Sequence, residues 1–169
     1  MDKLVLGEIQ MLTQNRYEEL IRISIEEADA AICRGDEPFG GVICDSDGNI
    51  IVRGGNRENT EQNPTAHAEM VLIREACKTL GTKDLSGFIS VCNAESCPMC
   101  ASALILSGIR EFYYGAEMES FCDPYIRMHE VLERASGAPL IVSGILEEEC
   151  RAVVQKGRSL HPLKNSMPE

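Results

Sequence analysis

The sequence has no cluster of basic residues, and its acidic side chains outnumber the basic ones by 27 to 16. The formal net charge is therefore −11 at pH 7. A protein that binds nucleic acid has to neutralise phosphate groups with lysine and arginine. This charge balance argues against a nucleic-acid partner and favours a small-molecule substrate.

The sequence also lacks long hydrophobic stretches. No uninterrupted apolar run is long enough to cross a bilayer, and residues 1–14 lack the apolar core flanked by basic residues that marks a secretory signal. We therefore expect a cytoplasmic protein with no membrane partner. Because thiols stay reduced in that compartment, we expect the eight cysteines to form no structural disulfide.

Repeats, low-complexity segments and linkers are absent as well. A length of 169 residues suits one domain and is enough to bury a proper core. We predict a single domain over residues 1–169, with its core at about residues 15–156 between N-terminal and C-terminal extensions.

What the sequence does contain is a regular succession of helix and strand signals. Residues 15–34 predict a helix, with Asn15 as N-cap, Glu18 as capping-box partner and Gly35 just past its end. Two apolar runs, residues 40–45 and 49–53, flank Asp47-Gly48 and predict a β-hairpin. Further helices are predicted at residues 64–80, 97–106, 124–135 and 147–156, and further strands at residues 88–93, 110–115 and 139–143. This order predicts an α/β fold, a three-layer α/β/α sandwich around a mixed five-stranded sheet.

Two short motifs stand at the starts of predicted helices. His67 and Glu69 follow Asn63-Pro64, which predicts an N-cap and a first helical position, so both side chains lie near a helix start. Cys97 and Cys100 open a later helix at the spacing i, i+3, which puts both thiols on one face. One imidazole and two thiolates predict a three-ligand zinc site, whose fourth position stays open for water as in catalytic centres.

Each motif also has a simpler interpretation. Cys97 and Cys100 alone would suit a redox pair, half of a zinc finger or a helix start with two buried thiols. A structural zinc site would need a fourth protein ligand, such as Cys92 or Cys122. Glu69 is either a proton carrier for metal-activated water or a surface carboxylate favoured by the helix dipole. Because the histidine-glutamate and cysteine motifs occur together, with a strand between them, we favour a catalytic zinc site with Glu69 as the proton carrier.

The motifs His67-Ala68-Glu69 and Cys97-Pro98-Met99-Cys100 resemble the H-x-E and P-C-x-x-C signature of zinc deaminases. The chain resembles the cytidine deaminase superfamily over roughly residues 15–156, and within it the branch of guanine deaminases and tRNA adenosine deaminases. The resemblance implies a zinc ion bound by the histidine and both cysteines, and a homodimer. It also implies that the glutamate carries protons from water to a ring nitrogen and then to the departing amine. Ser96 stands where the family usually has proline, which bears on the shape of the helix-entry loop and on substrate fit.

The resemblance further implies which residues contact the substrate. Asn56 corresponds to an asparagine that hydrogen-bonds the base, and its alternative role is a turn residue that tolerates left-handed backbone. Phe39, within Pro38-Phe39-Gly40, corresponds to an aromatic residue beside the substrate in guanine deaminases, and its alternative is a core position. Ala66, next to His67, belongs to the same substrate-binding set. Asp123 corresponds to a purine contact and proton relay, and its alternative role is an N-cap before Pro124.

The function expected from these motifs is hydrolytic removal of a nucleobase-type exocyclic amine, with guanine or a related purine as first choice. Cytosine or nucleoside deamination and tRNA adenosine deamination fit the same motifs, although the net charge of −11 argues against RNA. A zinc-stabilised binding module without catalysis is the alternative from another functional class.

Overall fold

The computed structural model describes residues 12–117 and 126–161. Within these ranges the elements in chain order are α1 (Gln14–Arg34), β1 (Gly40–Cys44), β2 (Ile50–Gly55), α2 (Ala68–Leu80), β3 (Ile89–Ala94), α3 (Pro98–Leu106), β4 (Glu111–Ala116), α4 (Met128–Leu132), β5 (Leu140–Val142) and α5 (Glu147–Leu160). The strands form one five-stranded sheet in the order β2, β1, β3, β4, β5. β1 is antiparallel to β2 and β3, whereas β3, β4 and β5 run parallel, which confirms the predicted mixed sheet. Throughout the described part of the chain, the helices are too short or too polar to span a bilayer.

Side chains of the sheet enter two hydrophobic cores, one on each face. Val42 and Tyr113 pack on the face covered by α1 and α5, while their neighbours Ile43 and Phe112 pack against α2 and α3. Successive residues of a strand point to opposite faces, so the fully buried strands β1 and β3 need helices on both sides. The predicted α/β/α sandwich is confirmed.

Turn and cap residues explain several of the element ends. Gly35 and Gly81 adopt left-handed backbone with φ of 86° and 66°, and they end α1 and α2. The predicted end of α1 before Gly35 is confirmed. Between β1 and β2, the Asp45 carboxylate accepts the backbone N–H groups of Asp47 (3.0 Å) and Asn49 (2.8 Å). Gly48 supplies the positive φ of 82° that this turn requires. The predicted hairpin is therefore confirmed.

The start of α1 differs from the prediction. The helix begins at Gln14 after Thr13, and no side chain makes a capping hydrogen bond there, so the predicted Asn15 cap with its Glu18 partner is wrong. Glu18 instead accepts a hydrogen bond from the side-chain amide of Gln14 (3.0 Å) on the exposed surface. The Thr13 carbonyl accepts the backbone N–H groups of Arg16 (3.0 Å) and Tyr17 (3.1 Å), so Asn15 already lies inside the first turn.

The start of α2 is also later than predicted, at Ala68 rather than at Pro64. The Asn63 side-chain oxygen accepts hydrogen bonds from the backbone N–H (3.0 Å) and hydroxyl (2.8 Å) of Thr65, which closes a local turn. The N–H of Ala66 completes this turn by donating to the Asn63 carbonyl at 3.0 Å. The helix begins after this turn, with His67 as its N-cap and Ala68 as its first residue.

The last two helices differ from the prediction in length. Within the described residues, the helix predicted at residues 124–135 is confined to Met128–Leu132, and Pro124 lies outside those residues. α5 continues past the predicted end at residue 156 to Leu160. Gly157 lies inside this helix, and a Cβ at that position would be 2.5 Å from the Cβ of Pro38. The glycine therefore permits close packing here and does not end the helix.

Candidate metal centre

The predicted ligands are brought together by two helix starts. His67 is the N-cap residue of α2 and Cys97 is the N-cap residue of α3, both with extended backbone. Pro98 follows Cys97 at the first helical turn, and Cys100 lies in that turn, as the sequence predicts. Glu69 lies in the first turn of α2. The free N–H groups of a helix start carry partial positive charge, so both helices favour anionic groups at this place.

The donor atoms of His67, Cys97 and Cys100 all lie within 4.8 Å of one another. The Sγ atom of Cys97 is 3.5 Å from Nδ1 of His67, so Nδ1 is the imidazole nitrogen that faces the thiols. Cys100 is buried, whereas Cys97 and His67 are half-buried. One nitrogen and two sulfur donors suit zinc, and three protein ligands leave a fourth position open. The residues present therefore fit a zinc ion.

The two thiols differ strongly in acidity. The hydrogen bond from Cys100, supported by His67, lowers the pKa of Cys97 to about 4. The same hydrogen bond and burial raise the pKa of Cys100 well above its ordinary value. Burial opposes the charge of His67, but hydrogen bonds with Cys97 and Glu58 outweigh it and raise the pKa of His67 to about 10. At neutral pH the cluster therefore pairs a Cys97 thiolate with a protonated His67 ring, and a metal that binds here has to displace the His67 proton.

Glu69 lies beside the metal-binding group with only 7% of its surface exposed. Burial raises the pKa of Glu69, and a hydrogen bond from the Ser96 side chain acts in the opposite direction. Ser96 is itself buried, and a proline at its position would have no hydroxyl to donate. A carboxyl group with a raised pKa is well suited to take up and release protons near neutral pH.

Asn56, a predicted substrate contact, is 1% exposed and holds the loop that follows β2. Its side-chain oxygen accepts the backbone N–H groups of Glu37 (3.4 Å) and Glu58 (2.9 Å). Its side-chain nitrogen donates to Oε2 of Glu58 at 2.6 Å. The bond from the N–H of Glu58, two residues on, forms an Asx turn, so the alternative role of Asn56 as a turn residue is confirmed, although its backbone is not left-handed.

Glu58 was missed by the sequence reasoning. Its Oε2 atom lies 3.6 Å from Nε2 of His67, on the side of the ring opposite to the thiols. Burial raises the pKa of Glu58, but hydrogen bonds with His67 and Asn56 outweigh it, and the net pKa is lowered. A charged residue in a polar loop gives no motif, so the sequence carries no signal that would have found this contact.

The other predicted site residues lie in different surroundings. Phe39 is partly buried and packs against the core clusters on the α1 and α5 side. Ala66 is 1% exposed, and its carbonyl accepts the N–H of Arg57 at 2.9 Å. Asp123 lies outside the described residues, as does Cys122. Cys92, in β3, is buried and is not a member of the donor group.

Comparisons with known proteins agree with this donor set. A family model described as the cytidine and deoxycytidylate deaminase zinc-binding region matches residues 14–116, which include all the candidate ligands. A tRNA-specific adenosine deaminase of Bacillus subtilis is 41% identical over 128 residues, which make up 75% of this chain and 79% of that protein. A guanine deaminase of Bacillus subtilis is 45% identical over 80 residues, which make up 47% of this chain and 51% of that protein.

Among solved structures, one comes from biochemical and structural studies of A-to-I editing by tRNA:A34 deaminases at the wobble position of transfer RNA. It is 33% identical to this chain, with a TM-score of 0.71. The match covers 80% of this chain and 98% of that one. The similarity therefore extends from the metal-binding motifs to the fold that positions them.

Proposed function

Since this chain belongs to the family of deaminases with the cytidine and deoxycytidylate deaminase zinc-binding region, we propose that it deaminates a free purine base of the guanine type. It is a zinc-type deaminase, with His67, Cys97 and Cys100 positioned as the zinc ligands. The proposed reaction replaces the exocyclic amine of the base with oxygen. A C–O bond to the ring carbon forms, the C–N bond breaks, and ammonia leaves.

The proposed chemistry divides between the metal and one carboxylate. When bound, zinc supplies the Lewis acidity that makes water reactive at neutral pH. Glu69 takes a proton from the attacking water and passes it to a ring nitrogen of the base. It then takes the second proton from the hydroxyl group added to the ring and gives it to the departing amine. Its burial supports this role, because burial raises the pKa of Glu69 toward the range in which it both accepts and donates protons.

The choice of a small substrate rests on the acidic side chains at the accessible side of the site. Glu58, with 25% of its side chain exposed, lies next to His67, with 28% exposed. Glu37 is a second acidic residue at this loop, because its backbone N–H donates to the same Asn56 side-chain oxygen (3.4 Å) as that of Glu58 (2.9 Å). Burial, followed by the charge of Glu58, raises the pKa of Glu37. Carboxylates repel phosphate groups and accept hydrogen bonds from amino groups. An uncharged, amine-bearing base fits these surroundings better than a polynucleotide.

The substrate contacts belong to the same proposal. Asn56 is proposed to bind the base; its side-chain nitrogen has two N–H groups, and the one that does not donate to Glu58 is the proposed donor to the base. Ala66 is proposed to contribute through its backbone next to His67. Phe39 is partly buried and packs against the core, so its proposed part is to shape the wall behind the substrate. Asp123 is proposed as a further purine contact.

A second candidate is deamination of adenosine in tRNA, and the extent of sequence similarity favours it. The tRNA-specific adenosine deaminase of Bacillus subtilis aligns with 75% of this chain, whereas the guanine deaminase aligns with 47%. The net charge of −11 argues against it, because an RNA-binding protein needs many phosphate contacts.

An ammonia-release screen of the zinc-loaded protein separates these candidates. The substrates are guanine, adenine, cytosine, their nucleosides and a tRNA with an adenosine at the wobble position. We expect turnover of guanine or a related aminopurine, and none of tRNA. Ammonia release from tRNA and from none of the free bases would establish tRNA adenosine deamination. Turnover of cytosine or of a nucleoside would change the substrate class. If the protein binds zinc but releases ammonia from none of these substrates, the result would support a zinc-stabilised binding module without catalysis. Light scattering of the same sample tests the proposed homodimer.

A further inference from the structure

The two ring nitrogens of His67 face different groups. Nδ1 lies 3.5 Å from Sγ of Cys97, whereas Nε2 lies 3.6 Å from Oε2 of Glu58. The nitrogen that does not face the thiols is therefore directed at a carboxylate. A histidine that ligates a metal through Nδ1 carries its proton on Nε2, and this N–H needs an acceptor.

The position of Glu58 is fixed by Asn56 through two hydrogen bonds. The backbone N–H of Glu58 donates to the side-chain oxygen of Asn56 (2.9 Å), and the same Oε2 that faces the imidazole accepts from the Asn56 side-chain nitrogen (2.6 Å). Asn56 is held in turn by its own backbone, which donates to the carbonyl of Phe39 (2.9 Å) and accepts from the guanidinium of Arg34 (3.1 Å). A continuous chain of polar contacts thus leads from the end of β2 to the imidazole.

We infer that Glu58 is a positioning residue for the metal centre: its carboxylate accepts the Nε2–H of His67 and so fixes the ring orientation and the tautomer that presents Nδ1 to zinc. The inference rests on the zinc site of the proposed function. Groups that orient a metal-ligating histidine in this way typically contribute 10-fold to 100-fold to metal affinity. Glu58 acts through His67 and needs no contact with the substrate for this effect.

The same loop supplies a matched control. Glu61 is three residues further on and pairs with Arg74 at 3.2 Å, with 31% and 47% of the two side chains exposed. Removing the Glu61 carboxylate changes the net charge as much as removing that of Glu58. Such an exposed ion pair contributes little to stability. Any effect of general charge or of loop sequence would therefore appear in both variants.

The experiment measures zinc affinity of the full chain by competition with a chromophoric chelator. The variants are Glu58→Ala, Glu58→Gln and Glu61→Ala. We expect Glu58→Ala to weaken zinc binding by about 10-fold to 100-fold. Glu58→Gln keeps a carbonyl acceptor and should recover most of the affinity, and Glu61→Ala should remain within about twofold of the unmodified protein.

A spectroscopic readout tests the hydrogen bond itself. With only three histidines in the chain, imidazole ¹H–¹⁵N spectra of the zinc-loaded protein are readily assigned. We expect a slowly exchanging Nε2–H signal for His67 in the unmodified protein and in Glu61→Ala, and its loss in Glu58→Ala. The spectrum of the unmodified protein gives an answer even if Glu58→Ala does not fold.

Two results would overturn the inference: a rapidly exchanging Nε2–H of His67 in the unmodified protein, or equal zinc affinities of Glu58→Ala and Glu61→Ala. In either case the zinc site would stand without a role for Glu58. An unmodified protein that binds no zinc would instead overturn the proposed function on which the inference rests.

Discussion

Replacement of Glu69 by glutamine should abolish deamination while leaving the fold and the metal site intact. Glutamine has nearly the same size as glutamate, so it leaves no cavity at a position that is only 7% exposed. Its carbonyl oxygen can still accept the hydrogen bond from the Ser96 side chain. What glutamine cannot do is accept a proton from water and return it to the departing amine. The substitution therefore removes one chemical capability and little else.

The size of the effect follows from the role. Loss of a positioned acid or base typically lowers the rate by about 10²-fold to 10⁴-fold, which corresponds to about 2.7–5.4 kcal/mol of transition-state stabilisation. Because protons move only during the reaction, kcat and kcat/KM should fall together. The assay is ammonia release from the best substrate of the screen, with bound zinc measured on the same sample.

The Glu69→Gln substitution should not lower the stability of the protein. Burial raises the folded-state pKa of Glu69 above its unfolded value, so the folded state binds the proton more tightly and ionisation at neutral pH costs stability. Glutamine removes this cost, and in excess chelator the variant should melt no lower than the unmodified protein. The control is Glu75→Gln, on the same helix with 44% of its side chain exposed, which should keep full activity. A Glu69→Gln protein that holds zinc and retains more than a tenth of kcat would refute the proton-carrier role.

Three further predictions concern stability. Removing zinc with a chelator should lower the melting temperature by about 5–11 °C if the free zinc concentration had been 100-fold above Kd. Zinc binding then contributes about 2.7 kcal/mol to stability, and the melting temperature of a domain of this size shifts by about 2–4 °C per kcal/mol. An unchanged melting temperature would contradict metal binding. Leu104→Ala, at a fully buried position of α3, should lower the free energy of unfolding in urea by about 2–5 kcal/mol. Leu106→Ala, at a position of the same helix that is 86% exposed, should change it by no more than about 0.5 kcal/mol. Gly157→Ala should destabilise by about 1 kcal/mol, because overpacking against Pro38 outweighs the better helix propensity of alanine; a more stable variant would show that this packing can relax.

The fold was largely predictable because its signals are local. The short runs of β1 and β3 that are buried on both faces, the glycines at 35 and 81, and the Asp47-Gly48 turn each determine structure within a few residues. The grouping of His67, Cys97 and Cys100 was predictable for the same reason. Each ligand lies at or just after a helix start, and the cysteine spacing places both thiols on one side of their helix.

The errors arise where a local signal has two physical outcomes. Asn63 before Pro64 suits a helix cap, but the same asparagine side chain can close a turn on Thr65, and here it does. Gly157 suits a helix end, but it also suits a close contact, and Pro38 makes that contact from 119 positions earlier in the chain. The sequence near each residue cannot decide between such outcomes, because the deciding partner or geometry lies outside the pattern.

The contact between Glu58 and His67 shows the same limit at the site itself. A carboxylate in a polar loop is ordinarily a solvated surface group, and nothing next to Glu58 in sequence indicates otherwise. Asn56 turns it toward the imidazole, and Asn56 is held by Arg34 and Phe39, which precede it by 22 and 17 residues. The motifs therefore locate the atoms that bind the metal. The groups that orient those atoms depend on packing between α1 and the loop after β2, so they can be identified only once the fold is known.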